Sequence, residues 1–160
     1  MSEADHFRKL ERMYLSAPTN QYYRPDIRVE QGTAEVRIPV RPDFFHAANA
    51  VHGSVYFKAL DDATFFAASS LVHDVFVLTV TFNLSLLRPV ASGTLIATGH
   101  VVHRSKRLLI ADGVIVDDRG KPVARGTGTF MPSTTPLSAE IGYTLSSPPR
   151  SREGGDPTSP

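Results

Sequence analysis

The sequence predicts an α+β fold in which an antiparallel sheet of five to six strands wraps around one long central helix. Residues 46–71 carry Val55, Leu60, Ala63, Phe66, Ala67 and Ser70 near i, i+3, i+4 steps with no proline among them, the pattern of a buried helix. Residues 26–40, 75–89, 93–103, 108–116 and 121–131 read as strands joined by short turns. No long crossover helices separate them, which argues against a doubly wound parallel sheet.

Each element has a local reason. Residues 3–16 place Phe7, Leu10 and Tyr14 at helical spacing behind Ser2, a suitable cap, so a short amphipathic helix is expected to cover the sheet or a neighbour. Residues 22–25 read as a linker, and residues 26–40 as a hairpin turning at Gln31-Gly32, with Pro39 at an edge or near a strand end. Residues 41–51 form a polar loop before the helix. After it, Phe76, Leu78, Val80, Phe82, Leu84 and Leu86 alternate with Thr79, Thr81, Asn83 and Ser85. That alternation predicts an apolar face against the helix and a polar face toward solvent or another subunit. Ser92-Gly93, Ser105-Lys106 and Arg119-Gly120 punctuate the remaining strands. Residues 1–20 are thus a helix and linker, 21–135 the folded domain, and 136–160 a tail rich in Pro, Ser, Thr and Gly. Residues 146–160 are too poor in apolar groups to offset their ordering entropy, whereas Ile141, Tyr143 and Leu145 can pin the preceding piece.

Composition narrows the functional classes. A chain of 160 residues, 41% hydrophobic and 21% charged, is long enough for a sizeable core. A formal net charge of +1 offers no basic stripe for nucleic acid. The absence of cysteine excludes a disulfide scaffold, a thiol nucleophile and thiolate metal ligation. No stretch is long and apolar enough to span a bilayer and no signal-peptide core precedes the first helix, so a soluble cytoplasmic protein is expected.

The chemistry concentrates around the long helix. Asp61 and Asp62 lie in an otherwise apolar segment, where an ionised group is costly unless paired, hydrated or used. At the helix start, the amides near Gly53 and Ser54 are suited to a carbonyl oxygen that gains negative charge. Nine residues of helix put Asp61 about 13 Å from His52, too far to share one substrate atom within a subunit. A second, antiparallel copy of the helix across a dimer can supply the missing partner.

These residues resemble the HGG-x(n)-Asp signature of hotdog-fold acyl-CoA thioesterases of the phenylacetyl-CoA thioesterase (PaaI) group, here His52-Gly53-Ser54 followed by Asp61. The likeness continues through TVTFNLSLLRPV (79–90), Gly93, HRSKRLLIADG (103–113) and DDRGKPVARGTGTF (117–130), and so spans residues 41–132. It implies a hotdog fold in which Gly53 N–H polarises the thioester and His52 supports the helix start. Asp61 is then nucleophile or general base, and Thr79 contacts the attacking water. An asparagine commonly stands six residues before the signature histidine in this family, and His46 occupies that position here. Either His46 substitutes as donor or Asn49 reaches the site from a different loop shape. Ser54, in place of a second glycine, adds a side chain beside the thioester channel. The family turn that holds coenzyme A phosphates corresponds to Ser105, Lys106 and Arg107, and Arg88 is a further phosphate candidate.

The resemblance therefore implies an acyl-CoA thioesterase working as a homodimer or dimer-of-dimers tetramer with shared active sites. No metal or redox cofactor is implied, coenzyme A being part of the substrate, and neither nucleic acid nor membrane is an expected partner. Two alternatives use similar parts: a hotdog enoyl-thioester hydratase or dehydratase, and a non-catalytic acyl-CoA binding or sensing protein.

Overall fold

In the computed structural model, which describes residues 1–146, the chain opens with helix α1 (Glu3–Ser16). Ser2 Oγ accepts from the Asp5 amide and the Asp5 carboxylate accepts from the Ser2 amide, a reciprocal cap that satisfies two otherwise unpaired donors. A second helix, α2 (Pro18–Tyr23), follows at once, where the sequence suggests only a linker. Pro18 stands in its first turn, where a missing N–H costs nothing, and Arg24 ends it in the left-handed region at φ 53°.

Strands β1 (Asp26–Glu30) and β2 (Thr33–Pro39) form the expected hairpin about Gly32, whose φ of 71° suits glycine. Pro39 falls at the end of β2, an inner strand, and so removes no ladder bond from the middle of the sheet. Helix α3 (Gly53–Ser69) then enters the centre of the molecule. Strands β3 (Val75–Leu86), β4 (Thr94–Arg104), β5 (Leu109–Val116) and β6 (Pro122–Pro136) complete a six-stranded antiparallel sheet in the order β1-β2-β4-β5-β6-β3. Strand β6 outruns the sequence expectation by five residues. Its pairing with β5 ends at Phe130, so Pro132 and Pro136 break no bond on that side.

The sheet curls around α3, which packs against all six strands. Ala59, Leu60, Ala63 and Ala67 are wholly buried on the enclosed faces of the helix. Close approach depends on Gly99 in β4: a Cβ there would lie 2.6 Å from the Ala63 carbonyl. At the far end, the expected anchor is present, since Tyr143 is buried and its hydroxyl lies 2.6 Å from His6 Nδ1 of α1. The expected disorder of residues 146–160 falls, from residue 147 onward, outside the described residues. Among the described residues, no helix is long and apolar enough to cross a membrane.

The two sheet edges differ. At β1, α1 supplies side chains in place of a strand: Glu11 accepts from the Val29 amide at 2.8 Å and Arg8 donates to the Val29 carbonyl at 2.7 Å. The outer edge of β3 has no partner strand among the described residues.

Strand β3 also departs from its sequence pattern. Its pairing with β6 slips between Thr79 and Thr81, where Val80 is an extra, bulged residue. Thr79 pairs with buried Phe130 and so faces the helix, whereas Leu78 pairs with exposed Met131. Leu78 and Val80, expected against the helix, are instead 53% and 52% exposed. Beyond the bulge Phe82 packs edge-on against Phe57 of α3 as expected, whereas Leu86, which pairs with buried Ala124 and reaches Gly53, is itself 54% exposed.

The contact at Gly99 predicts that Gly99→Ala lowers the unfolding free energy by about 2–3 kcal/mol, because backbone rather than a flexible side chain must yield. Urea denaturation measures this directly, and an unchanged midpoint would mean that the helix and sheet have room to spare.

Candidate functional site

The first turn of α3 is held by its own cap. His52 Nδ1 accepts from the Ser54 amide at 3.0 Å and lies 2.8 Å from Ser54 Oγ. His52 therefore organises the turn, and the Ser54 side chain is tied back to it. The Gly53 N–H has no acceptor among the described residues. It borders a cleft of about 290 Å³ with His46, Tyr56, Leu86, Leu87 and Arg88. A Cβ at Gly53 would stand 3.0 Å from Leu86 Cδ1, the end of a flexible, half-exposed side chain that can give way.

The loop residues separate. His46 borders the Gly53 cleft, its Nδ1 accepting from the Ala48 amide at 3.0 Å. Asn49 does not border it and occupies the left-handed position of a turn, at φ 61°, donating its amide to the His46 carbonyl. Of the two candidates for the asparagine role, the structure brings His46 and not Asn49 beside Gly53. Arg88 shares the cleft, and its carbonyl accepts from the Tyr56 hydroxyl at 3.0 Å.

Both carboxylates border a second, larger chamber of about 620 Å³. Met13, Tyr14 and Asn20 of the N-terminal helices roof it, and Phe65, Phe76 and Thr79 form its walls. The Thr79 hydroxyl donates to Asp61 Oδ1 at 2.9 Å, a contact made possible by the bulge at Val80. Burial pushes the Asp61 carboxyl up to about 6; the Thr79 bond opposes this, Asp62 adds repulsion and Lys58 a weaker attraction. Asp62 is paired instead: Lys58 Nζ and the Tyr14 hydroxyl both meet its Oδ2 at 2.6 Å. Burial still pushes its carboxyl upward against those two contacts. Burial, with Asp62 facing it, holds the Tyr14 hydroxyl protonated well above the ordinary phenol range.

Ser105 and Lys106 border a third cleft, of about 570 Å³, with His73 and Arg104. The Ser105 amide donates to the Leu108 carbonyl at 2.8 Å and closes the turn, and Arg107 lies outside the cleft. The candidates therefore divide into groups. Gly53, His46 and Arg88 share one cleft, Asp61 and Thr79 share the chamber, and Ser105 and Lys106 lie near the start of β3. No His, Asp or Glu cluster of metal-binding size occurs among the described residues. Sequence reasoning missed Tyr14 and Lys58. For Lys58 the i, i+4 spacing to Asp62 was a usable signal; for Tyr14, 48 residues away in sequence, local spacing carried none.

Residues 48–124 match the thioesterase superfamily. A candidate esterase of Thermoplasma acidophilum is 24% identical over 106 residues, covering 64% of this chain and 77% of that protein. Another, from Mycobacterium tuberculosis, is 29% identical over 97 residues, covering 58% of this chain and 69% of that protein. Among solved structures, the E. coli PaaI protein of the phenylacetic acid degradation operon superposes with a TM-score of 0.77 at 24% identity, over 85% of this chain and 99% of that one. A candidate thioesterase of Ralstonia eutropha, related to phenylacetic acid degradation, superposes with a TM-score of 0.70 at 26% identity, over 79% and 98%. A six-stranded sheet curled around one helix, with these neighbours, is the hotdog fold.

The raised carboxyl makes a stability prediction. The folded pKa of Asp61, about 6, lies above its ordinary value of 3.8, so ionising it opposes folding. The stability it permits is complete below the unfolded pKa and is lost as pH rises through 6. Asp61→Asn is expected to gain about 1–2 kcal/mol at neutral pH, after allowance for partial solvation, and nothing near pH 4. Thermal unfolding across that range checks this; a gain of equal size at both ends would contradict it.

Proposed function

We propose that the chain, whose residues 48–124 match the thioesterase superfamily, is a hotdog-fold member of it and hydrolyses acyl-CoA thioesters to a free acid and coenzyme A. The observation that carries this reading is the Asp61–Thr79 pair at the wall of an aromatic-lined chamber, beside a strand that also borders the cleft of a free helix-start amide. The chamber suits an acyl group, and the Gly53 N–H suits the thioester oxygen.

Within one copy these parts lie in separate cavities. Pairing the open β3 edge antiparallel with that of a second copy, centred at Asn83 with Val80 bulged out of the register, would set Thr79 of one copy opposite Leu86 of the other. The bulge gives those positions the same face despite their odd and even numbers. Because Thr79 holds Asp61 and Leu86 touches Gly53, a carboxylate and an amide from different copies then converge.

In the general-base form, ionised Asp61 takes a proton from water as the oxygen adds to the carbonyl carbon, and Gly53 stabilises the oxyanion. Collapse breaks the C–S bond, and the departing thiolate recovers the proton from Asp61. In the nucleophilic form, Asp61 displaces the thiolate to give a mixed anhydride that water cleaves. Thr79 orients the carboxylate or the water in either case. Arg88 beside Gly53, or Ser105 and Lys106 at the basic turn, would hold the coenzyme A phosphates. A cytoplasmic setting goes with this reading, since a chain without cysteine draws no stability from an oxidising compartment.

Thiol release from a panel of short, long and aromatic acyl-CoAs tests the activity. Asp61→Asn should lower kcat by at least about 100-fold with the fold retained. For the wild type, kcat/KM should rise with pH through about 6 and level off, because the ionised carboxylate is the active form. No turnover with any substrate, or undiminished turnover in Asp61→Asn, would reject the assignment in favour of a binding or dehydratase role. Sedimentation tests the assembly: Val80→Lys at the open edge should yield folded monomers that no longer release thiol. A Val80→Lys dimer with full activity would move the interface elsewhere.

A further inference from the structure

Asp62 is a largely buried carboxylate, its side chain 14% exposed, for which the proposed hydrolysis has no direct use. It directly follows Asp61, and both border the chamber beneath α1 and α2. Two neighbouring carboxylates in such surroundings tend to share one proton, because both cannot ionise cheaply. A general base placed there would spend part of its time neutral. The side chains around the pair are arranged against this outcome. Lys58, one turn earlier on α3, meets Asp62 Oδ2 at 2.6 Å, and the Tyr14 hydroxyl of α1 donates to the same oxygen at 2.6 Å. Both contacts fall on Asp62, while Asp61 receives the neutral Thr79 hydroxyl. The Lys58 ammonium is further confined between aromatic rings, 5.2 Å from the Tyr14 centroid and 5.1 Å from that of Tyr23.

We propose that Lys58 and Tyr14 are positioning residues for the hydrolytic reaction: they keep Asp62 ionised in a closed ion pair, so that Asp61 alone exchanges a proton in the chamber. This rests on the thioesterase reading above. The titratable groups facing Asp61 are Lys58 and Asp62 from its own helix and Tyr14 from α1; β3 contributes Thr79, α2 Asn20 and β6 Thr135, none of which titrates. Burial raises the Asp62 carboxyl, and Lys58 and the Tyr14 hydroxyl are the contacts that oppose it; at Asp61, Asp62 raises the carboxyl and Lys58 lowers it.

The arrangement predicts opposed responses. Lys58→Met removes the cation and should move the acid limb of kcat/KM upward by about one pH unit, with a smaller upward move for Tyr14→Phe. Asp62→Asn removes the repelling carboxylate, frees Lys58 to face Asp61, and should move the limb downward. The Lys58→Met/Asp62→Asn double variant should fall between the two single variants. Circular dichroism and sedimentation confirm that each variant folds and assembles. If Lys58→Met does not fold, Tyr14→Phe and Asp62→Asn still give opposite directions. Limbs that all stay at the wild-type position, or that all move the same way, would overturn the proposal. NMR titration of the Asp61 carboxyl carbon reads the same shifts without substrate. Opposed shifts in a protein that releases no thiol would keep the charge arrangement and reject the hydrolytic reading, whereas turnover without opposed shifts would do the reverse.

Discussion

The structure depends on how closely α3 lies against the sheet that encloses it. Gly99 lets the helix and sheet backbones nearly touch, and Ala59, Ala63 and Ala67 keep the helix narrow where strands surround it. A helix buried on most sides has little room for charge. Its charged side chains are confined to the strip holding Lys58, Asp61 and Asp62, which opens beneath the N-terminal helices, and buried Thr64 returns its hydroxyl to the Leu60 carbonyl of the same helix. That confinement gives each ionisable group a definite partner and raises the Asp61 carboxyl.

Helix geometry sets a second condition. At about 1.5 Å of rise per residue, Gly53 and Asp61 stand about 12 Å apart along a single axis. One copy therefore presents an amide in one cleft and a carboxylate in another. Strand β3 runs beside both, with Thr79 at the carboxylate and Leu86 at the amide. The opposite edge is closed by Arg8 and Glu11, while β3 keeps its outer backbone groups unpaired by any strand among the described residues. An open edge beside both halves of a divided site is the physical argument for completing that site with a second copy.

The bulge at Val80 joins these conditions. Strict alternation would turn Thr79 away from Asp61 and direct Leu78 and Val80 inward. One inserted residue reverses both, placing a hydroxyl on the carboxylate and apolar side chains on the outside. Single-residue slips of this kind reassign every side chain on one side of them, which is why a small irregularity has a large chemical effect.

The sequence by itself determined the elements whose causes are local. The Ser2 cap starts α1, Gly32 turns the first hairpin, the apolar spacing marks α3, and the position of His52 before Gly53 places the helix start. It also made Asp61 and Asp62 stand out, as carboxylates in an apolar helix, and the resemblance to the thioesterase motif chose Asp61 between them. Tertiary structure alone decided what depends on distant partners. Val80 bulges only relative to β6, Tyr14 reaches Asp62 only once α1 folds over the chamber, and His46 rather than Asn49 borders Gly53 because of how the loop turns. Helix spacing and caps act within a few residues of chain, whereas strand register and burial arise from contacts between residues that the chain keeps far apart.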